Sequence, residues 1–205
     1  MSPRPRKASD DEVFAAATRV MARCGPADMT LSMIATEAGL TAGALVQRFG
    51  SKRALLLTLA ERFAASTDQL FAGLRAASTS PLAALRAYGE CMAGLGTSAT
   101  ALANSLSWLQ QDLTDADFRR FTQIQARASR RELERLVHDA MARREIDAGA
   151  DPAALARAIE VTVGGSLMAW AVHQEGTCRT WVQHDLEMLL QPYLRRRRTP
   201  TRRRR

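Results

Sequence analysis

Apolar residues recur every three to four positions along most of the chain, and no stretch of four or more alternates as a half-buried strand does. The pattern predicts an all-α protein. Ser9-Asp-Asp-Glu12 has the spacing of a capping box, in which the serine accepts from the third helical amide and the glutamate reaches back. Behind it, Val13, Ala16, Ala17, Val20, Met21 and Cys24 share one face, and Gly25-Pro26 stops the helix. Thr30 caps a short helix with Leu31, Ile34, Ala35 and Ala38 inward; Thr41 caps another that turns Leu45 and Phe49 inward. Ser51 opens a longer helix carrying Leu56, Leu59, Phe63, Leu70, Phe71 and Leu74 to about residue 77, where Ser-Thr-Ser-Pro81 interrupts. Further helices are predicted over 81–93, 99–113, 115–143, 151–173 and 178–194. The longest buries Phe118, Phe121, Ala128, Leu136, Val137 and Ala140 and shows solvent Arg119, Arg120, Arg127, Arg130 and Arg131.

The two short helices joined by Ala38-Gly39-Leu40 match a helix-turn-helix, with glycine in the tight turn and a hydrophobe after it. Such a pair buries too little surface alone, and the first helix supplies the third wall. A recognition helix starting at Thr41 offers Ala42, Gly43 and Ala44, small enough for close backbone approach to a duplex. Gln47 suits adenine, and Arg48 suits guanine or a phosphate. Lys52 is expected to point toward a phosphate at the next helix start.

Charge sharpens this picture. Residues 1–60 carry 8 basic and 5 acidic side chains, residues 61–194 carry 13 and 16, and residues 195–205 carry eight arginines and no acid. A mildly acidic body with two positive ends points to an anionic polymer as partner. The tail, which repels itself, is expected to be disordered and to add salt-sensitive affinity without discrimination. Pro152 to His173, the longest helical apolar stretch, contains Arg157 and Glu160, so no membrane span or membrane partner is expected. Met1-Ser-Pro-Arg-Pro-Arg-Lys7 has no apolar core behind its charges, unlike a secretory signal. Cys24, Cys91 and Cys178 are odd in number and far apart, which argues against a disulfide framework or CxxC zinc site and fits a reducing cytoplasm. Each is expected to be a small buried hydrophobe. No metal or cofactor is expected, and no catalytic constellation is visible.

The stretch from Met29 to Leu57 resembles the DNA-binding domain of the TetR family of transcriptional regulators. The Thr-Leu-x-x-Ile-Ala opening, the Ala-Gly-Leu turn, Gly43, Phe49 and Ser51-Lys52 carry the likeness jointly. The resemblance implies DNA contacts at Thr30, Thr41, Ala42, Gly43, Gln47, Arg48 and Lys52. It departs where relatives usually have lysine (Ala42), tyrosine (Val46) and histidine (Arg48); Arg4, Arg6 and Lys7 are candidates to replace lost phosphate contacts.

The resemblance also implies a homodimeric transcriptional repressor released from a double-stranded operator by a small-molecule inducer. The expected organisation is a basic arm (1–9), a helix-turn-helix domain (10–60), a ligand-binding and dimerisation domain (61–194) and an arginine-rich tail (195–205). Tyr88, Cys91, Met92, Trp108, Phe121, Gln125 and Met168 combine the polarizable, aromatic and polar groups of an apolar ligand pocket, and equally of an ordinary core. Gly164-Gly165-Ser166 allows close helix approach, and Trp181, Asp185, Met188, Leu189 and Tyr193 form a stripe on the last helix. In relatives the last two helices of each subunit form a four-helix dimer interface. The rival readings are a non-specific nucleic-acid-binding protein driven by its basic ends, and an enzyme using the helical pocket.

Overall fold

The computed structural model describes residues 8–194, so Arg4, Arg6, Lys7 and the arginine-rich tail lie outside the described residues. Ten α-helices follow one another: α1 Asp10–Arg23, α2 Leu31–Ala38, α3 Ala42–Phe49, α4 Lys52–Ala65, α5 Thr67–Ala77, α6 Pro81–Ala93, α7 Ala99–Thr114, α8 Ala116–Ala142, α9 Pro152–His173 and α10 Cys178–Leu190. The punctuation acts as its chemistry dictates. Ser9 and Glu12 form the reciprocal capping box of α1, while Thr30, Thr41 and Ser51 accept from the amides of Met33, Ala44 and Ala54.

Two expected helices end differently. The segment expected to run unbroken to residue 77 divides at Ser66, whose amide donates to Arg62 O at 2.9 Å and Phe63 O at 3.3 Å. The break lets the chain change neighbours: α4 lies on α8 and α3, while α5 turns toward α6 as well as α8. At the carboxyl end, α10 stops at Leu190 and Gln191–Tyr193 tightens into a 3-10 turn. Pro192 supplies no amide to continue the helix.

Two apolar clusters organise the chain. The amino-terminal head packs Val13, Phe14, Val20, Ile34, Leu45 and Leu55 together, and Phe14 meets Phe49 edge-on at 5.6 Å. The carboxyl-terminal body packs Phe71, Leu85, Leu133, Leu136, Ile159 and Leu186, with Phe71 stacked on Tyr88 at 5.5 Å. Trp108 of α7 and Phe118 of α8 belong to the head cluster, so the body reaches across and completes the head's core. In the body, the buried Glu132 carboxylate is matched by Arg75 at 2.6 Å and by Arg135. Removing both guanidiniums would leave an unpaired charge in a low-dielectric site.

By length and mean hydropathy, 22 residues and 1.3, α9 would qualify to cross a membrane. In this fold it is a core helix: Leu155, Ile159, Val163, Leu167 and Trp170 are buried against α8 and α10. The cysteines are not uniformly buried as expected, since Cys91 is exposed and Cys24 half-buried; Cys178 is buried.

Cys178 also explains Gly96 in the α6–α7 connection. A Cβ at Gly96 would lie 2.7 Å from Cys178 Cβ and 3.2 Å from Trp170 Cζ3. Cys178 Sγ is nearer still, and turning the thiol aside would leave Cys178 Cβ, fixed to its backbone, in the way. Gly96→Ala is expected to lower unfolding free energy by about 1–3 kcal/mol, read by chemical denaturation; an unchanged midpoint would contradict this packing.

Candidate nucleic-acid interface

The α2–α3 turn is built by backbone chemistry. Gly39 adopts φ 68°, ψ 32°, a left-handed conformation that a side chain would strain. The turn then closes as the Leu40 amide donates to Ala35 O at 2.8 Å and the Gly39 amide to Thr36 O at 3.2 Å. Leu45 is fully buried and fixes the rotation of α3 about its axis. That rotation turns Thr41, Gly43, Val46, Gln47 and Arg48 outward, with Ala42 and Ala44 half-buried beside them. Thr30 is exposed at the start of α2. Thr30 and Thr41 each use the hydroxyl oxygen as a helix cap, yet a hydroxyl retains its own proton to donate.

Arg48 and Lys52 are more constrained than the sequence suggests. Arg48 Nη1 donates to Ala8 O at 2.6 Å, its guanidinium pairs with Asp10, and it lies 5.5 Å over the Phe49 ring. It ties the recognition helix to the start of α1 while remaining at the outer surface. Lys52 does not point freely at a phosphate position. Its Nζ donates to Pro26 O at 3.1 Å and Met29 O at 2.7 Å, clamping α4 to the α1–α2 loop. Glu37, the acid on α2, is bound by Arg19 and Arg23 at 2.6 Å each. Hydrogen bonds from Arg19, then Arg23, hold its carboxyl below the usual carboxylate range. The two α1 guanidiniums thereby offset the negative charge on α2.

Two side chains gain a role that the sequence did not give them: Val46 stood only as a departure from the usual tyrosine, and Arg53 carried no site role. Val46, 47% exposed, presents an apolar surface on the same outward side as Gln47, chemistry suited to a thymine methyl. Its signal was an apolar residue next to Leu45, off the inward Leu45–Phe49 line. Arg53 lies in the first turn of α4 and donates to Asp115 at 2.8 Å and Asp117 at 2.9 Å, at the α7–α8 corner. Hydrogen bonds donated to Asp117 and then Asp115 raise the Arg53 pKa. Burial pushes the Asp115 carboxyl up, but Arg53 and the Asp117 amide outweigh it and leave the carboxyl lowered. Nothing local in the sequence marks partners 62 and 64 positions away.

Residues 13–59 match the family described as bacterial regulatory proteins, tetR family. That match covers α1 to α4, the helices that build the exposed α3 face. The likeness to that family by sequence lies in the head. Solved structures agree along nearly its whole length. A TetR transcription regulator from Haloarcula marismortui superposes with a TM-score of 0.72 at 16% identity, covering 91% of this chain and 98% of that one. SmeT, the repressor of the Stenotrophomonas maltophilia multidrug efflux pump SmeDEF, gives 0.65 at 23% identity, covering 92% of each chain. FadR from Bacillus subtilis, in complex with stearoyl-CoA, gives 0.65 at 18% identity, with 89% and 98% covered. No curated protein matches the chain by sequence. The matched segment contains the helix-turn-helix of the head.

The expected pocket residues part company. Trp108, Phe121 and Gln125 line one cavity of about 60 Å³ between head and body, together with Leu56, Leu59 and Phe63 of α4. Asp112 and Thr122 contribute its other polar groups. Tyr88 is instead buried in the body core, where burial pushes its phenol up to about 12 and keeps it protonated. Met92 packs half-buried on that core, Cys91 is exposed, and Met168 is 56% exposed on α9. Their sequence spacing suits a helix face, but these helices face different neighbours.

Proposed function

We propose that the chain is a homodimeric, ligand-responsive repressor of transcription acting in the cytoplasm, with a head at 10–60 and a body at 61–194. The exposed outer face of α3, held in register by buried Leu45, is the observation that carries the reading. Thr41, Ala42, Gly43, Val46, Gln47 and Arg48 enter the major groove; Thr30 and the α4 start approach the backbone. Arg48 exchanges its Asp10 contact for DNA, whereas Lys52 acts first by fixing the loop and positions the α4 amino terminus near a phosphate.

The body supports pairing. Val161, Met168 and Val172 are exposed on α9 at helix-face spacing, and Met188 is exposed on α10. Between them, a Cβ added to Gly164 or Gly165 would meet no atom within 4 Å. Such an apolar, small-residue face on two neighbouring helices suits a second copy related by a two-fold axis. Two recognition helices then meet successive major grooves about 34–36 Å apart. A small molecule in the cavity shared by α4, α7 and α8 favours a head position unsuited to that spacing, releasing DNA by population shift. The ligand-bound structure of FadR supports this reading by analogy.

The test is selection of bound fragments from genomic DNA, followed by affinity measurements over a range of salt. A palindromic preference is expected. Gln47→Ala should cost about 1–3 kcal/mol at one base position and leave the salt slope nearly unchanged. Equal affinity for all duplexes, unaltered by Gln47→Ala, would overturn the repressor reading in favour of non-specific binding.

A further inference from the structure

The cavity between head and body has an unusual polar endowment. Its walls are largely apolar and include the aromatic rings of Phe63, Trp108, Phe118 and Phe121. Among the described residues no lysine, arginine or histidine lines it. Asp112 is nevertheless there, half-buried, with its Oδ2 accepting from the Thr122 hydroxyl at 3.2 Å. Every salt bridge of the described residues leaves Asp112 out, although nearby Asp115 and Asp117 share Arg53. A carboxylate beside aromatic rings is matched by a positive group with an apolar body.

We propose that this cavity recognises a lipophilic monocation, an ammonium head group paired with Asp112 and carrying an apolar substituent against the aromatic wall. The inference rests on the ligand-responsive reading and gives it a ligand class. Burial pushes the Asp112 carboxyl up while the Thr122 hydroxyl opposes the shift, so an ammonium supplies the compensation the wall lacks. A fatty acid is disfavoured by the same carboxylate, and a neutral hydrocarbon would leave it buried further without a partner.

Size links binding to response. A volume of about 60 Å³ holds about two waters, enough for an ammonium head group but not for its apolar body. In this proposal the apolar body wedges α4 away from α7 and α8, whose residues share the cavity wall. Leu56, Leu59 and Phe63 lie on α4, the helix that begins directly after the recognition helix. The displacement is therefore delivered to α3 through the Gly50-Ser51 junction, without crossing the body core.

The experiment titrates the full chain with phenethylammonium and with 2-phenylethanol, its neutral counterpart, by calorimetry and by indole NMR resonances. The expected result is about tenfold tighter binding of the amine, a shift confined to Trp108 rather than Trp170 or Trp181, and loss of the preference in Asp112→Asn. The alcohol binding as tightly, the shift falling on another indole, an unchanged preference in a folded Asp112→Asn chain, or no amine binding at millimolar concentration would each overturn the proposal. The Trp108 shift is read on the unaltered chain, so the test stands even where Asp112→Asn fails to fold. Operator retention is measured in parallel. Amine recognition without duplex binding supports the ligand class and overturns the repressor reading; duplex binding without amine recognition does the reverse.

Discussion

Trp108→Ala is expected to destabilise the chain by about 3–5 kcal/mol, the range for removing a large buried aromatic side chain. Trp108 is 7% exposed, and its Nε1 donates to Met21 O at 3.3 Å and Cys24 O at 3.1 Å. These carbonyls belong to the end of α1, whereas Trp108 belongs to α7. Truncation therefore opens the seam between head and body as well as the cavity beside it. At fixed protein concentration the melting temperature should fall by about 6–20 °C for a chain of this size. Trp108→Phe retains most of the packing but leaves two carbonyls without their donor, and its loss should be smaller. A melting temperature for Trp108→Ala within about 2 °C of the parent would show that α7 does not brace the head. The sequence placed Trp108 among residues suited to a pocket or a core alike; in this packing it is also a beam of the head.

Paired Val161→Glu and Met168→Glu substitutions should produce monomers and reduce operator affinity at least about 100-fold, equivalent to about 2.7 kcal/mol. In an isologous interface each substitution appears twice, so four carboxylates would enter one apolar patch and face their symmetry mates. Val161 is 64% exposed and Met168 56% exposed in a single chain, so neither change opens a cavity in the protomer. The measurements are sedimentation for assembly and duplex titration at constant salt for affinity. Dimers with undiminished affinity would place the interface on another face.

Local chemistry made much of this fold legible. Ser9, Thr30, Thr41, Ser51 and Asp151 sit where hydroxyl or carboxylate oxygens can cap helices, and each does so. Gly39 declared the turn because its backbone must enter the left-handed region. The division at Ser66 was not legible, because neither proline nor glycine interrupts the apolar pattern there; tertiary packing bends the chain. The exposed α3 face followed from Leu45 and Phe49, but the engagements of Arg48 and Lys52 did not. Their carbonyl acceptors lie 40 positions away for Arg48, and 26 and 23 for Lys52. The expected pocket divided for the same reason: Trp108 and Tyr88 look alike as aromatics on helix faces, and only the packing of α7 against α1 sends one to the head.

The Arg53 guanidinium rests between two carboxylates rather than against one. Because Asp115 and Asp117 lie on successive portions of the same corner, a tilt that loosens one contact can keep the other closed. Loss of either carboxylate alone would therefore still leave the head's cation facing an opposite charge, so this joint between head and body carries its own spare.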